Sequence, residues 1–212
     1  MARDTVMTDI GAARKASKHK SAVMAFLGEF VMSPMTIGAL TESPPRVAAA
    51  LCDRIGLEQA KAVVEIGPGT GPVTREILRR LPPGARFFAI EKNPKMASIF
   101  RSRNPGVVLH EASGERIREL CEREGMGRLD AVVSSIPWIL LPRPVQERML
   151  DDVIASIKPG GHMSFLTYRQ ESLGIVKRFI ELAKERFARV DGPVPMRARF
   201  ATCRIYRCTV KG

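Results

Sequence analysis

The sequence is poor in the residues that build metal centres and nucleophilic catalytic sites, with three histidines and four cysteines among 212 residues. Cys52, Cys121, Cys203 and Cys208 form no Cys-x-x-Cys pair and have no histidine at zinc-ligand spacing. They read as buried free thiols of a reduced compartment, with no metal and no disulfide. His19, His110 and His162 are scattered, and no Ser-His-Asp or Cys-His constellation follows from their spacing, which sets nucleophilic catalysis aside. A long apolar run is also missing. The most apolar early stretch, Ala22 to Leu40, is broken by Gly28, Glu29, Pro34 and Gly38. That is short of the roughly 20 unbroken apolar residues of a spanning helix, and neither end reads as a secretion signal, so a cytoplasmic protein is expected.

Acid is the minority charge. Lys and Arg number 34 against 22 Asp and Glu, a formal net charge of +12, which points to anionic partners, either nucleic acid or acidic lipid headgroups. With 45% hydrophobic and 26% charged residues the composition is that of a globular chain. Against a typical domain of about 150 residues, the length suits one sizeable domain with an appendage.

Residues 1–13 are small and polar without a period and read as a disordered tip; 14–40 form the appendage and 41–212 the domain. In the appendage a basic cluster, Arg14, Lys15, Lys18 and Lys20, leads into Val23, Phe26, Leu27, Phe30 and Val31. Those apolar residues share one helical face, and Pro34 ends the helix. One reading is an interfacial anchor, its apolar face in the acyl boundary and each lysine contributing about 1 kcal/mol over anionic headgroups. The other is a helix packed on the body of the protein.

Beyond a helical pattern at 46–55 the chain alternates. Strands are expected at 62–66, 86–90, 107–110, 131–134, 161–167 and 203–210, and helices at 72–80, 94–103, 114–124, 145–157 and 171–187. Such alternation implies a parallel sheet covered by helices on both faces.

The first strand runs straight into glycines, Val64-Glu65-Ile66-Gly67-Pro68-Gly69-Thr70-Gly71. Glycines there admit positive φ and close approach of a ligand to the backbone, and the following helix offers free N–H groups at the carboxyl edge of the sheet. The spacing is G-x-G-x-G with an acid two positions earlier, whereas a dinucleotide fingerprint is G-x-G-x-x-G. Glu91 closes the next strand, twenty residues after the last glycine, where its carboxylate can accept both hydroxyls of a ribose.

The loop resembles motif I of the class I S-adenosylmethionine-dependent methyltransferases. The resemblance implies a Rossmann-like α/β fold with a mostly parallel seven-stranded sheet. It also implies S-adenosylmethionine as cofactor and S-adenosylhomocysteine as product. Glu65 would serve the cationic methionyl end, Gly67, Gly69, Thr70 and Gly71 the loop, and Glu91 and Lys92 the ribose end. Glu111 and Ala112 stand where relatives place an Asp-Ala that receives the adenine, and Lys158-Pro159-Gly160-Gly161 matches a shared turn.

Asp130-Ala131-Val132-Val133-Ser134-Ser135-Ile136-Pro137-Trp138 ends the fourth strand, where class I enzymes place the methyl acceptor. The segment is similar to the ribosomal RNA adenine dimethyltransferase superfamily, which carries Asn-Leu/Ile-Pro-Tyr/Phe here to hold and stack a flipped base. Ser135 replaces that Asn and Trp138 the aromatic residue. The small bacterial phospholipid N-methyltransferases of that superfamily, with Ser-Gly-Leu-Pro-like loops and a basic N-terminal helix, are the nearer resemblance. They imply a protein docked on the inner face of the bacterial membrane through residues 14–40. Its substrate would be an aminolipid, phosphatidylethanolamine first and an ornithine-type lipid as the alternative, with an RNA or small-molecule N-methyltransferase as the enzymatic rival and nucleic acid disfavoured.

Transfer from a sulfonium to an amine needs the nitrogen lone pair, so alignment and desolvation of a neutral amine are expected to matter more than a strong base. Ser134 and Ser135 are the candidates beside the amine, Ser134 also bordering the cofactor, with Trp138 as a wall of the headgroup pocket and Tyr168, just past the fifth strand, to accept a bond from the amine or present its ring to the cationic product. Arg197, Arg199 and Arg204 are candidates for a headgroup phosphate. The rival of another class is a membrane-binding module with a vestigial pocket, and the complete set of cofactor residues argues against it.

Overall fold

A computed structural model describes residues 44–167, 174–197 and 202–212, all within the unit Ala39–Gly212 of the chain. The expected appendage, Tyr168 and Arg199 lie outside the described residues. The sheet is built from β1 (Ala62–Ile66), β2 (Arg86–Glu91), β3 (Leu109–Glu111), β4 (Leu129–Ser134), β5 (Ile157–Thr167), β6 (Arg189–Arg197) and β7 (Thr202–Thr209). The helices are α1 (Pro45–Cys52), α2 (Pro72–Arg80), α3 (Pro94–Arg103), α4 (Ile117–Arg123), α5 (Arg143–Ser156) and α6 (Gly174–Arg186).

Strand order is β3-β2-β1-β4-β5-β7-β6, with β7 antiparallel to both of its neighbours and the other pairings parallel. The order reverses beside β1, between β2 and β4, and ligands of open α/β sheets settle in the crevice at the carboxyl ends of such strands. Every residue of β1 is buried, as expected of a central strand covered on both faces. On one face Val64, Ile66, Val132, Phe165 and Tyr206 meet the apolar sides of α4, α5 and α6. On the other, Val63, Val133, Leu166 and Ile205 meet α1 and α2. All four cysteines are buried and free.

Local chemistry sets the helix starts near the site. Gly71 (φ 89°) precedes α2, and Pro72 occupies a first-turn position where the absent N–H costs nothing. Asn93 caps α3, its side chain accepting from the N–H groups of Lys95 at 2.9 Å and Met96 at 3.2 Å. Helix α1 has its carboxyl end held from two distant elements. Arg80 donates to the carbonyls of Cys52 (3.1 Å) and Ala49 (3.2 Å), and Arg207 to those of Asp53 (2.6 Å) and Ala50 (2.8 Å). Guanidinium groups satisfy the last carbonyls and oppose the helix dipole at once.

Strand β6 is absent from the sequence reading. Gly192, Pro193 and Pro195 argue against a strand, yet β6 lies at the sheet edge with its register shifted between Asp191 and Val194. An edge strand tolerates prolines whose missing N–H would break a central ladder. The expected helix at 114–124 is a short 3-10 turn at Gly114–Arg116 followed by α4. Among the described residues no helix is long and apolar enough to cross a membrane.

Candidate active site

Glu91 ties the glycine loop to β2. Its Oε2 accepts from the Gly69 N–H at 3.2 Å and its Oε1 from the Asn93 N–H at 2.8 Å. A carboxylate offers roughly four lone-pair sites, so these two bonds leave room for the hydroxyls of a sugar. Burial raises the Glu91 carboxyl above its usual range, opposed by the backbone N–H groups that it accepts. Gly67 N–H completes the stitching with a bond to the Ile90 carbonyl at 2.9 Å.

The loop glycines are required by conformation and by space. Gly67, Gly69 and Gly71 have φ of 74°, 57° and 89°. A Cβ on Gly67 would strike the Ile136 side chain, and one on Gly71 would strike the Asn104 amide. Thr70 is buried between them.

Glu65 is fully buried at the end of β1 on the α2 side. Thr74, in the first turns of α2, donates its hydroxyl to Glu65 Oε2 at 2.5 Å, and Oε1 has no hydrogen-bond partner among the described residues. Burial pushes the Glu65 carboxyl up to about 8, the Thr74 bond pulls it down, and the nearby Glu91 raises it further. A buried carboxyl with one free oxygen suits a cationic ligand group, whose charge would return it to the ionised form.

Ser134 and Ser135 stand beside this loop at the end of β4. Ser134 pairs with Ile66, and Ser135 donates its N–H to the Ile66 carbonyl at 3.0 Å. The Ser135 hydroxyl oxygen is buried without a partner among the described residues, whereas Ser134 Oγ accepts the Trp138 indole N–H at 2.8 Å.

Trp138 corrects the sequence reading. It is not a pocket wall: its ring is fully buried and stacks on Phe179 of α6 with centroids 5.5 Å apart. The 3-10 turn Trp138–Leu140 folds the ring back over the sheet, where the indole N–H still finds an acceptor. Glu111, expected at the adenine, stands at the end of β3. Its carboxylate is exposed and pairs with Arg101 of α3 at 3.2 Å, a contact set by the adjacent helix. The Ala112 N–H is likewise engaged, donating to the Glu91 carbonyl at 3.0 Å, so it closes the β2–β3 edge. Lys92 is exposed at the surface.

Three residues of the site escaped the sequence reading. Thr74 carries a signal in principle, a hydroxyl in the first turns of the helix that follows the glycine loop. Asn104, 7% exposed, donates to the Phe100 carbonyl at 3.0 Å and the Thr70 carbonyl at 3.5 Å, bracing the loop from behind. Gln146, 5% exposed, donates to the carbonyls of Trp138 at 3.0 Å and Leu141 at 2.9 Å, holding the turn after β4. Neither carries a local motif.

A family model described as a methyltransferase domain matches residues 63–161, which hold the glycine loop, Glu91 and the Ser134–Trp138 segment. The chain is 31% identical over 147 residues to an ornithine lipid N-methyltransferase of Singulisphaera acidiphila, covering 67% of this chain and 76% of that protein. It is 35% identical over 97 residues to the ribosomal RNA small subunit methyltransferase A of Chlorobaculum parvum. That match covers 46% of this chain and spans only 33% of the relative's length. Among solved structures, the N-methyltransferase NodS of Bradyrhizobium japonicum in complex with S-adenosyl-l-homocysteine superposes with a TM-score of 0.65 at 16% identity, covering 90% of this chain and 99% of that one. An O-methyltransferase of Bacillus cereus, also in complex with S-adenosyl-l-homocysteine, gives 0.65 at 17% identity, covering 90% of each chain.

Proposed function

The chain belongs to the class I S-adenosylmethionine-dependent methyltransferase family, and we propose that within it this protein methylates the amine of a lipid headgroup at a membrane surface. The observation that carries this reading is the match to an ornithine lipid N-methyltransferase, which spans 76% of that protein. An ornithine-type aminolipid is therefore the first substrate to test and phosphatidylethanolamine the second.

The cofactor of the family is S-adenosylmethionine, which supplies an electrophilic methyl group on a sulfonium. The residues of this chain fit it. Glu65, with its unpartnered buried Oε1, would take the methionyl ammonium. The backbone from Gly67 to Gly71, free of Cβ where Ile136 and Asn104 press close, would line the cofactor, and Glu91 would accept from the ribose.

The chain's own work is then positioning. Ser135, whose hydroxyl oxygen lacks a partner among the described residues, can accept an N–H of the incoming amine and aim its lone pair along the line of transfer. The amine must arrive neutral, and a half-buried loop favours that form by partial desolvation. Two serines leave space for an amine that grows by successive methyl groups.

Against a flipped base as acceptor stands the inward rotation of Trp138. An RNA adenine enzyme needs an aromatic face open to the base, and this indole is spent on Phe179 and Ser134. Docking on the inner membrane face is proposed through the basic, apolar segment 14–40 and the net charge of +12. The test is competition for labelled methyl between vesicles holding both aminolipids and ribosomal RNA at physiological salt. Label in the organic extract is expected, and label confined to RNA would overturn the reading.

A further inference from the structure

Two arginines at the carboxyl edge of the sheet have no carboxylate partner among the described residues. On the strand pair β6 and β7, Arg189 pairs with Asp191 at 2.9 Å and Arg207 with Asp53 at 3.4 Å. Arg197 and Arg204, farther along the same strands, pair with no carboxylate among the described residues. Arg204 is half-buried and Arg197 exposed.

Register places them together and on the acceptor's side. Arg204 lies opposite Pro195 and Arg197 opposite Thr202, so the two arginines share one face, as diagonal neighbours. Arg204 also lies opposite Thr167, the last residue of β5, which puts it at the same edge as the end of β4. Its face is that of Tyr206, the α6 side, where Trp138 and Ser134 also lie.

A buried chain of aromatic rings lies in the core beneath α6 on this face. Tyr206 stacks on Phe165 at 5.1 Å, Phe165 meets Phe179 edge-on at 5.3 Å, and Phe179 stacks on Trp138 at 5.5 Å. Helix α6 packs against both β6 and the Trp138–Leu140 turn. Ser134, Phe165 and Tyr206 occupy one register row, two strand spacings or about 10 Å across. Arg204 stands two residues beyond Tyr206, about 7 Å nearer the edge, so its Cα is about 12 Å from that of Ser134. An arginine stem reaching inward covers part of that span, and the few bonds between the amine and the acidic group of a compact headgroup cover the rest.

Building on the lipid reading of the same site, we propose that Arg197 and Arg204 form an oxyanion subsite that reads the acidic group of the headgroup while the amine lies at Ser134 and Ser135. A carboxylate and a phosphodiester share this chemistry, since both present paired oxygens that a guanidinium binds in bidentate fashion. The subsite sets specificity for zwitterionic aminolipids over simple amines and takes no part in the chemical step.

The test uses the full chain in neutral detergent micelles, which removes any contribution from vesicle charge. Acceptors are an ornithine-type lipid with a free carboxylate, phosphatidylethanolamine, and a long-chain alkylamine that has no oxyanion. In the double variant Arg197→Ala/Arg204→Ala, KM for the oxyanion-bearing substrate is expected to rise about tenfold to hundredfold. Rates on the alkylamine and cofactor affinity by calorimetry stay unchanged, and Arg204→Lys restores part of the loss. Whichever zwitterionic lipid responds identifies the oxyanion. Equal loss on all three acceptors, or no change on any that the unaltered protein methylates, overturns the subsite. An unaltered protein that binds cofactor yet methylates none of the three overturns the lipid reading, and the subsite with it.

Discussion

The indole N–H of Trp138 donates to Ser134 Oγ across 2.8 Å, and both residues are fully buried. This bond turns an aromatic residue away from the crevice and fixes a hydroxyl at the end of β4. Gln146 secures the arrangement through the carbonyls of Trp138 and Leu141. The proposed acceptor end of the site thus rests on a buried polar network, and the proposed cofactor end on Glu65, the glycine loop and Glu91.

Replacing Trp138 by Phe keeps most of the ring and removes the N–H. Ser134 Oγ then loses a partner in a buried place, at a cost of about 1 kcal/mol in stability. Cofactor affinity is expected to hold while kcat falls, because the hydroxyl is no longer oriented. Urea unfolding with calorimetry and steady-state rates checks this, and unchanged kcat would show that the bond serves packing alone.

Glu65 makes stability depend on pH with a definite sign. Its folded carboxyl, raised to about 8 from 4.5, holds a proton that the unfolded chain has released. Its contribution is therefore fully present below about 4.5 and is lost as pH rises through about 8. His162, lowered chiefly by burial, titrates in the opposite sense within this window, so the variant comparison isolates Glu65. In the cofactor-free protein, Glu65→Gln is expected to gain stability relative to the parent between pH 5 and 8 (roughly the span of the shift) and to bind S-adenosylmethionine more weakly. Parallel pH profiles for the two proteins would contradict the burial argument.

Glu91→Ala removes the acceptor of the Gly69 and Asn93 N–H groups together with the proposed ribose contact. Titration calorimetry is expected to show cofactor affinity reduced about tenfold to hundredfold, the scale of lost hydrogen bonds to a charged group. Unchanged affinity would remove Glu91 from the cofactor site.

Burial raises all four thiols, Cys121 to about 11 and the others by the same cause. Thiolate is the reactive form. The folded protein should resist alkylation at neutral pH, and the unfolded chain should take up four equivalents by mass spectrometry. Rapid labelling of the folded protein would contradict the packing of the core around these residues.

The membrane proposal rests on the sequence of 14–40 and has its own test. Changing Phe26 and Phe30 to Ser should abolish sedimentation with anionic liposomes and leave cofactor affinity intact. Persistent sedimentation would move the docking surface elsewhere.

What the sequence made legible was contiguous. The positions of Glu65, the three loop glycines and Glu91 at strand ends and a helix start are readable because neighbouring residues set them without help from distant ones. Strand and helix alternation gave the parallel sheet for the same reason. Thr74, Asn104 and Gln146 were hidden because their partners, a strand-end carboxyl and loop carbonyls, are chosen by packing. Trp138 was misplaced because a residue after Pro137 reads as exposed loop, and only the partner Phe179 on α6 shows where its ring goes. Strand β6 was missed because proline is decisive in a central strand and permissible at an edge.

The most direct test of the account is mass spectrometry of lipids extracted after incubating the purified protein with S-adenosylmethionine and vesicles holding an ornithine-type lipid and phosphatidylethanolamine. The account predicts species heavier by whole methyl groups on the headgroup nitrogen of at least one of them, formed more slowly by Glu91→Ala at sub-saturating cofactor. Unmodified lipids from a protein that binds the cofactor by calorimetry would contradict it.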